Sequence, residues 1–143
     1  MDGYNNVISS TGNSRVKLMQ SLHRVKGRRE HGMCLLEGER LIHEALNENA
    51  KIKIVAVASG LEQKYAQELA IAKKMGAETI VVAPELMFKV CDSVHPQGIA
   101  AAARLPGSRG VTGQNVIALD GVADPGNMGT ILRTAQAFGC KSA

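Results

Sequence analysis

The sequence is poor in several features that define common classes of protein. Aromatic residues make up 3% of its 143 residues, and tryptophan is absent. This disfavours a protein that reads single-stranded nucleic acid by stacking successive bases on aromatic side chains. The three cysteines are widely spaced, which argues against both a disulfide framework and a cysteine-based zinc site. Reduced thiols of this kind fit a cytoplasmic protein.

Long apolar runs are also missing. No stretch approaches the roughly 18 apolar residues that suggest a membrane-spanning helix, and no secretory signal opens the chain. What is present is a hydrophobic fraction of 45%, which is normal for a globular protein, and a formal net charge of +4. This mild basic excess is compatible with a polyanionic partner but does not establish one.

The apolar periodicity alternates between that of helices and that of strands along the first hundred residues. It predicts helices over 14–29, 38–49, 62–75 and 84–90, and strands over 33–36, 51–58, 78–83 and 98–103. Residues 1–12 are polar and are expected to form a loose arm. The alternation predicts an α/β domain over residues 1–104, built on a mainly parallel or mixed sheet.

Residues 105–114, LPGSRGVTGQ, have the composition of a linker. The segment after it, 115–143, has room for one strand and one helix only. Because a domain usually needs about 100–150 residues, we expect 115–143 to be the start of a second, incomplete domain.

The most informative motif is NVIALDGVADPGNMGTILRTAQAFG, residues 115–139. It predicts a buried strand at 116–119, a turn through Pro125 and Gly126, and a helix with Asn127 as its N-cap. Gly129 and Arg133 are four residues apart and therefore share a face of this helix. A glycine there permits close approach to the backbone, and Arg133 is placed to bind a phosphate or carboxylate.

Each of these residues has an ordinary explanation in a simple strand–helix unit, but their combination indicates a ligand site. The motif lacks the spacing of the dinucleotide-binding G-x-G-x-x-G fingerprint, and no G-K-[ST] of a P-loop follows it. The sequence therefore points to a different kind of site at the carboxyl end of a strand.

The motif closely resembles the first conserved motif of the SpoU family of RNA 2′-O-ribose methyltransferases, part of the SPOUT superfamily. The upstream chain agrees, since four segments resemble the substrate-binding domain that precedes the catalytic domain in many SpoU enzymes. These segments are NSRVK at 13–17, KGRR at 26–29, LEGERL at 36–41 and HPQGIA at 95–100.

The resemblance implies transfer of a methyl group from S-adenosylmethionine to a ribose 2′-hydroxyl of ribosomal or transfer RNA. It implies an N-terminal α/β sandwich like that of kink-turn-binding ribosomal proteins, followed by the first βα unit of a trefoil-knot domain. Arg133 and Asn127 correspond to the catalytic residues. Because a guanidinium keeps its proton at any working pH, Arg133 would bind a phosphate and stabilise charge and would not act as a base.

The two later motifs that build the cofactor pocket in SpoU proteins do not occur in this sequence. We therefore expect no cofactor-binding residue here, and no methylation by these 143 residues alone. A longer parent protein would bind S-adenosylmethionine and form a homodimer through the knotted domain, whereas the present chain could be monomeric. No metal site is expected.

RNA binding is predicted for the N-terminal domain. Gly38 would let the RNA backbone come close, Arg40 would clamp it, and the loop containing Gln97 could join the same face. The candidate RNA-binding residues are Arg15, Lys17, Lys26, Arg28, Arg29, Gly38, Arg40 and Gln97. A simpler explanation stays open for the cluster at 26–29, because cations at a helix end also complement the helix dipole.

Two other functions fit the sequence. The first is an RNA-binding module without catalysis. The second is a small-molecule α/β enzyme that binds a nucleotide at Asp120 to Asn127.

Overall fold

The computed structural model describes residues 6–107 and 115–140. The chain divides into two compact units, Met1–Leu105 and Pro106–Ala143, and each is described by itself. Residues 108–114 of the expected linker lie outside the described residues.

A four-stranded mixed sheet forms the centre of the first unit. Its strands are β1 (Met33–Glu37), β2 (Ile52–Ala58), β3 (Glu78–Val82) and β4 (Ile99–Arg104), in the order β1-β4-β2-β3. β2 and β3 are parallel, whereas β4 runs antiparallel to both β1 and β2. The prediction of an α/β domain on a mixed sheet is therefore confirmed.

Helices cover both faces of this sheet. The first unit contains α1 (Ser14–Ser21), α2 (Val25–His31), α3 (Glu39–Asn47), α4 (Ala66–Lys74) and α5 (Pro84–Val90). Side chains of α1 and α5 pack on one face, and those of α3 and α4 on the other. The central strands β2 and β4 are buried on both faces, which explains their nearly continuous runs of alanine, valine and isoleucine.

The helix predicted over 14–29 is wrong as a single element, because the chain breaks between Ser21 and Val25 into α1 and α2. The break is a close helix crossing, in which a Cβ at Gly27 would collide with the backbone carbonyl of Ser21. The Arg28 guanidinium stabilises this crossing by donating 2.9 Å hydrogen bonds to the carbonyls of Leu22 and His23. Helical spacing alone does not reveal a turn whose residues are also helix-compatible.

The N-terminal arm is attached where it is described. Ile8 forms a parallel bridge to Val82, with its N–H donating to the Val81 carbonyl and its own carbonyl accepting from Ala83, each at 2.9 Å. The expectation of a loose arm is therefore wrong for this segment, since the backbone of Ile8 binds it to the sheet edge.

The second unit contains α6 (Pro125–Ala137). The predicted strand over 116–119 is wrong: only an isolated bridge at Val116 occurs there, and Val116 and Ala118 are exposed. A strand requires a hydrogen-bonded neighbour along its length. No strand pairs with this segment among the described residues, so the segment does not form a strand despite its apolar pattern.

No helix within the described ranges has the length and apolar character needed to cross a membrane. Over the same ranges, no group of three or more histidine, cysteine, aspartate or glutamate side chains is placed to hold a metal ion.

Candidate RNA interface

The sheet topology gathers several loops at one edge of the first unit. Strands β1, β2 and β3 all end at this edge, and β4 begins there, because β4 is antiparallel to its neighbours. The loops at 38, 59–65 and 92–98 therefore meet at what we call the carboxyl edge. In open α/β sheets, this is the edge that builds ligand sites.

Gly38 and Gln97, two of the predicted RNA-binding residues, meet at the carboxyl edge. Gly38 has φ +88°, and a Cβ there would lie 2.9 Å from Oε1 of Gln97. The same oxygen accepts a 3.1 Å hydrogen bond from the N–H of Glu39, in the first turn of α3. Gln97 thus supplies the capping oxygen that Gly38 cannot provide. The space over Gly38 holds a side chain of the same chain.

Tyr65 fixes the same loop from below. Its side chain is fully buried, and its hydroxyl donates a 2.7 Å hydrogen bond to the backbone carbonyl of Gln97. The Lys64 ammonium donates to that hydroxyl at 2.9 Å and lies 4.7 Å from the centre of the Tyr65 ring. It also lies 4.0 Å from the Glu39 carboxylate. This places a cation on the carboxyl edge beside the α3 terminus.

Glu37, at the end of β1, holds the start of the 92–98 loop. Its carboxylate accepts hydrogen bonds from the N–H groups of Asp92 at 2.8 Å and Ser93 at 3.2 Å. Burial alone would raise the pKa of Glu37, but these bonds, with one from the Ser93 hydroxyl, lower it below its ordinary value. The neighbouring thiol of Cys91 is buried, and this burial, together with the Glu37 carboxylate, raises its pKa to about 12.

A basic groove lies along α1 and α2. Its cavity of about 510 Å³ is lined by Lys17, Gln20, Ser21, His23, Arg24, Lys26, Gly27 and Glu30. Lys17 and Lys26, both predicted to bind RNA, are therefore brought together. His23 links this groove to the carboxyl edge, since its Nε2 lies 2.8 Å from the Val90 carbonyl and its Nδ1 lies 3.8 Å from the Asp92 carboxylate.

The other cationic side chains predicted to bind RNA differ in their exposure and in the ion pairs and hydrogen bonds that they form within the fold. Arg15 forms a 2.9 Å ion pair with Glu78 at the start of β3. Arg28 is partly buried and bonded to the end of α1. Arg29 is exposed. Arg40 is 93% exposed at its side chain and pairs with Glu44 one turn later, at 3.1 Å.

In the second unit, Asp124 and not Asn127 is the N-cap of α6. Its Oδ1 accepts a 2.7 Å hydrogen bond from the N–H of Asn127, and Pro125 occupies the first helical position. The prediction of Asn127 as cap is therefore wrong by three residues, because Pro125 starts the helix earlier. The Asn127 side chain is exposed and does not cap α6.

Gly129 and Arg133 share a face of α6, as their spacing predicts. A Cβ at Gly129 would lie 3.2 Å from Nη1 of Arg133, so the guanidinium lies directly over the glycine. Its Nη2 lies 3.5 Å from Oγ1 of Thr130. The glycine thus makes room for the arginine of its own helix.

Comparison with known proteins places these features in a family. The model of the MRM3-like substrate-binding domain matches residues 13–101, which include both the basic groove and the carboxyl edge. The chain belongs to this family. It is a relative of rRNA 2′-O-methyltransferases, so the resemblance to the SpoU family seen in the sequence is confirmed.

Two curated relatives and one solved structure illustrate the match. The chain is 33% identical to the 23S rRNA (guanosine(2553)-2′-O)-methyltransferase RlmP of Bacillus subtilis, covering 92% of this chain and 51% of the relative. It is 37% identical to human mitochondrial rRNA methyltransferase 3, covering 79% of this chain and 28% of the relative. The AdoMet-bound rRNA methyltransferase of Sinorhizobium meliloti matches with a TM-score of 0.76 and 27% identity, over 99% of this chain and 57% of that one. The chain thus spans about half the length of the bacterial relatives.

Some residues of this MRM3-like domain were missed by sequence reasoning. Tyr65 bonds to the Gln97 carbonyl, more than thirty residues away, and no local spacing reveals such a contact. Lys64 bonds in turn to the Tyr65 hydroxyl. Glu68 gave a usable signal, since it is a charged residue on the inward face of α4, beside the buried Leu69. A carboxylate in an apolar stripe is unusual enough to mark a site.

Proposed function

We propose that this chain is the RNA-binding part of an S-adenosylmethionine-dependent rRNA 2′-O-methyltransferase. The observation that carries the proposal is the family match over 13–101, because that segment folds into the unit with the basic groove and the carboxyl edge. Its relatives are named as rRNA methyltransferases. RNA binding is the role proposed for the first unit, and the second unit would contribute residues to methyl transfer by a longer parent protein.

The electrostatics of the first unit support RNA as the partner. Lys17, Arg24 and Lys26 line one groove, and Arg29 is exposed on α2. Glu30 is the one carboxylate in the lining, and it lies 3.8 Å from Lys26. Such a groove follows a phosphate backbone, because each phosphate neutralised releases counterions. Arg15 and Arg28 remain proposed contacts, although part of their hydrogen-bonding capacity is used within the fold.

At the carboxyl edge, Gly38, Arg40 and Gln97 are proposed to contact RNA as a unit. Gln97 fills the space over Gly38, so the glycine serves the approach of RNA indirectly, by letting the loops close on each other. Arg40 presents an almost fully exposed guanidinium beside them. The RNA would therefore meet a pre-formed surface at this edge.

For the second unit, Arg133 and Asn127 are proposed as the catalytic residues by resemblance. Arg133 would bind a phosphate next to the target ribose and stabilise the developing charge on the 2′-oxygen. In support of this proposal, Arg133 is exposed on α6 and its guanidinium lies over Gly129. A Lys at this position would carry the charge without the two-pronged geometry.

The cofactor proposed for the whole protein is S-adenosylmethionine, which supplies the electrophilic methyl group. One of the matched structures is AdoMet-bound. The described part of the second unit, 106–107 and 115–140, contains one helix, α6. A pocket-forming part of a longer parent, which would also form the homodimer, completes this proposal. A cytoplasmic location is proposed, although five relatives are named as mitochondrial.

The RNA-binding role is tested by fluorescence anisotropy with a labelled structured rRNA fragment at several salt concentrations. The variant Lys26→Gln/Arg29→Gln removes two cations from α2. The matched control, Lys73→Gln/Lys74→Gln, removes two exposed cations from the last turn of α4. We expect weaker binding and a salt slope reduced by about 1.5 for the α2 variant only. Absence of binding, or equal losses in both variants, would reject the proposal.

Catalysis is separated from the alternative of a non-catalytic RNA-binding module by calorimetry. The parent protein and the 143-residue chain are each titrated with S-adenosylmethionine. One-site binding by the parent alone supports a methyltransferase whose cofactor pocket requires further residues. An RNA-binding parent that does not bind the cofactor would favour the module.

A further inference from the structure

A second cavity lies between α3 and α4 at the carboxyl edge, and its lining contains more carboxylates than that of the basic groove. It measures about 580 Å³ and is lined by Glu39, Arg40, His43, Glu44, Gln67, Glu68 and Gln97. Volumes of this size accommodate small ligands. Every lining residue is polar, so the cavity is built for hydrogen bonding and not for apolar packing.

Glu68 is the unusual member of this lining. It is 94% buried, since only 6% of its surface is exposed, and it is the one buried charged residue of the described chain. Burial of a carboxylate is costly unless hydrogen-bond donors compensate it. Within the described residues, its recorded partner is Nδ1 of His43, 3.3 Å from Oε1.

The second oxygen of Glu68 is available to a ligand. Oε2 has no recorded hydrogen bond among the described residues, and the same residues contain no fully enclosed side-chain N or O atom without a partner. Oε2 is therefore not fully enclosed, and the open space that Glu68 lines is this cavity. Oε1 also retains acceptor capacity, because each carboxylate oxygen has two lone pairs.

We infer that this cavity binds a guanine base, with Glu68 as the acceptor for its N1–H and N2–H groups. Guanine is the one RNA base whose pairing edge presents two adjacent donors, matching the two oxygens of a carboxylate. Adenine, cytosine and uracil each place an acceptor directly beside their donor group, so the second oxygen of a carboxylate would face a lone pair that repels it. The inference rests on the proposed function, since it assigns a base-reading site within the RNA interface.

Three of the other lining residues, Arg40, Gln67 and Gln97, offer contacts to the rest of the nucleotide. The Arg40 guanidinium is at the rim, and a planar guanidinium is a stacking surface for an unpaired base. Gln67 and Gln97 carry amides that donate and accept. A single extruded guanine is thereby recognised through its edge, without an aromatic residue in the lining of the cavity.

Nuclear magnetic resonance tests the site with mononucleotides and the 143-residue chain. GMP, IMP and AMP share a phosphate and differ at the pairing edge, where IMP lacks the N2 amino group. We expect GMP to shift the amide signals of 39–44 and 67–68 and to bind about tenfold or more tightly than AMP, with IMP between them. Equal shifts from all three nucleotides, or shifts confined to other residues, would overturn the inference.

Two variants locate the effect. Glu68→Gln replaces one acceptor by a donor and should abolish the preference for GMP over AMP. Glu48→Gln, an exposed carboxylate outside the cavity, should leave that preference intact. Thermal unfolding is measured for both, and if Glu68→Gln does not fold, the nucleotide series on the unmodified chain decides the question. A preference that survives in a folded Glu68→Gln variant would reject Glu68 as the acceptor.

Failure of this inference is distinguishable from failure of the proposed function. If the rRNA fragment binds with the expected salt slope but GMP shows no preference over AMP at this cavity, the RNA-binding role stands and the guanine site is rejected. If GMP binds as expected while the rRNA fragment does not, the guanine site stands and the RNA-binding role is rejected.

Discussion

Gly38 and Gly129 are two glycines that the sequence marks as points of close approach, and in each case a side chain of the same chain fills the space. At Gly38 the side chain is Gln97, which comes from a loop 59 residues away in sequence. At Gly129 it is Arg133, one turn along the same helix. The first contact joins two loops of a folded unit, whereas the second stays within one exposed helix.

The difference shows what each region contributes. Gln97 is held by Tyr65 and caps α3 through Glu39, so the carboxyl edge has one pre-formed arrangement. Arg133 is exposed, and its recorded contact among the described side chains is a 3.5 Å approach to Thr130. A pre-formed surface such as the carboxyl edge suits substrate binding. An exposed guanidinium such as that of Arg133 suits a site to which further residues of a longer parent protein would contribute.

The largest expected effect comes from Gly38→Ala. Alanine at φ +88° is strained, and its Cβ would displace Gln97, so we expect a loss of about 1–3 kcal/mol in the free energy of unfolding. This corresponds to a fall of at least several degrees in the thermal midpoint. Gly60→Ala is the control, since Gly60 has φ +89° but no atom within 4 Å of its Cβ position.

The comparison between these two variants separates backbone strain from the clash. Gly38→Ala should be destabilised more than Gly60→Ala, and adding Gln97→Ala should remove the clash while also losing the cap. If Gly38→Ala and Gly60→Ala unfold at the same temperature shift, Gln97 does not constrain Gly38 and the contrast with Gly129 fails.

Local patterns predicted most of the first unit and little of its site. The strands at 51–58 and 78–83 are strongly apolar, and the structure retains them within one residue at each end. The sequence suggested that the loop containing Gln97 could join the face of Gly38, but their direct contact was not predictable, because it depends on β4 lying between β1 and β2. In the second unit, the Gly129–Arg133 contact was predictable from i, i+4 spacing, but a strand at 116–119 was not realised without a pairing partner.

A smaller effect is expected on acidification, through Glu37. Its pKa is lowered in the fold, so its stabilising contribution is complete above the ordinary value of 4.5 and is lost as pH falls through the lower, folded value. Glu37→Gln should be less stable than the unmodified chain at neutral pH, and the gap should narrow below about pH 4.5. Denaturant unfolding at a series of pH values measures this.

The control for Glu37 is Glu30→Gln, which removes an exposed carboxylate on α2. Its stability difference from the unmodified chain should be small at all pH values, because surface pairs contribute little. A Glu37→Gln gap that stays constant from neutral to acidic pH would mean that the carboxylate charge does not hold the 92–98 loop.

The smallest effect on stability is expected from Gly129→Ala, and its sign is opposite to that of Gly38→Ala. Alanine favours the helix by roughly 1 kcal/mol over glycine in a helix interior, and the flexible end of Arg133 can move from the 3.2 Å contact. We therefore expect equal or higher helix content by circular dichroism, with a shifted Arg133 Nε resonance. An unmoved Arg133 signal would show that the guanidinium does not lie over Gly129, whereas a loss of helix would show that α6 needs the glycine for its own packing. Either result would contradict the contrast between Gly38, which allows two loops to pack together, and Gly129, which only leaves space for the Arg133 side chain.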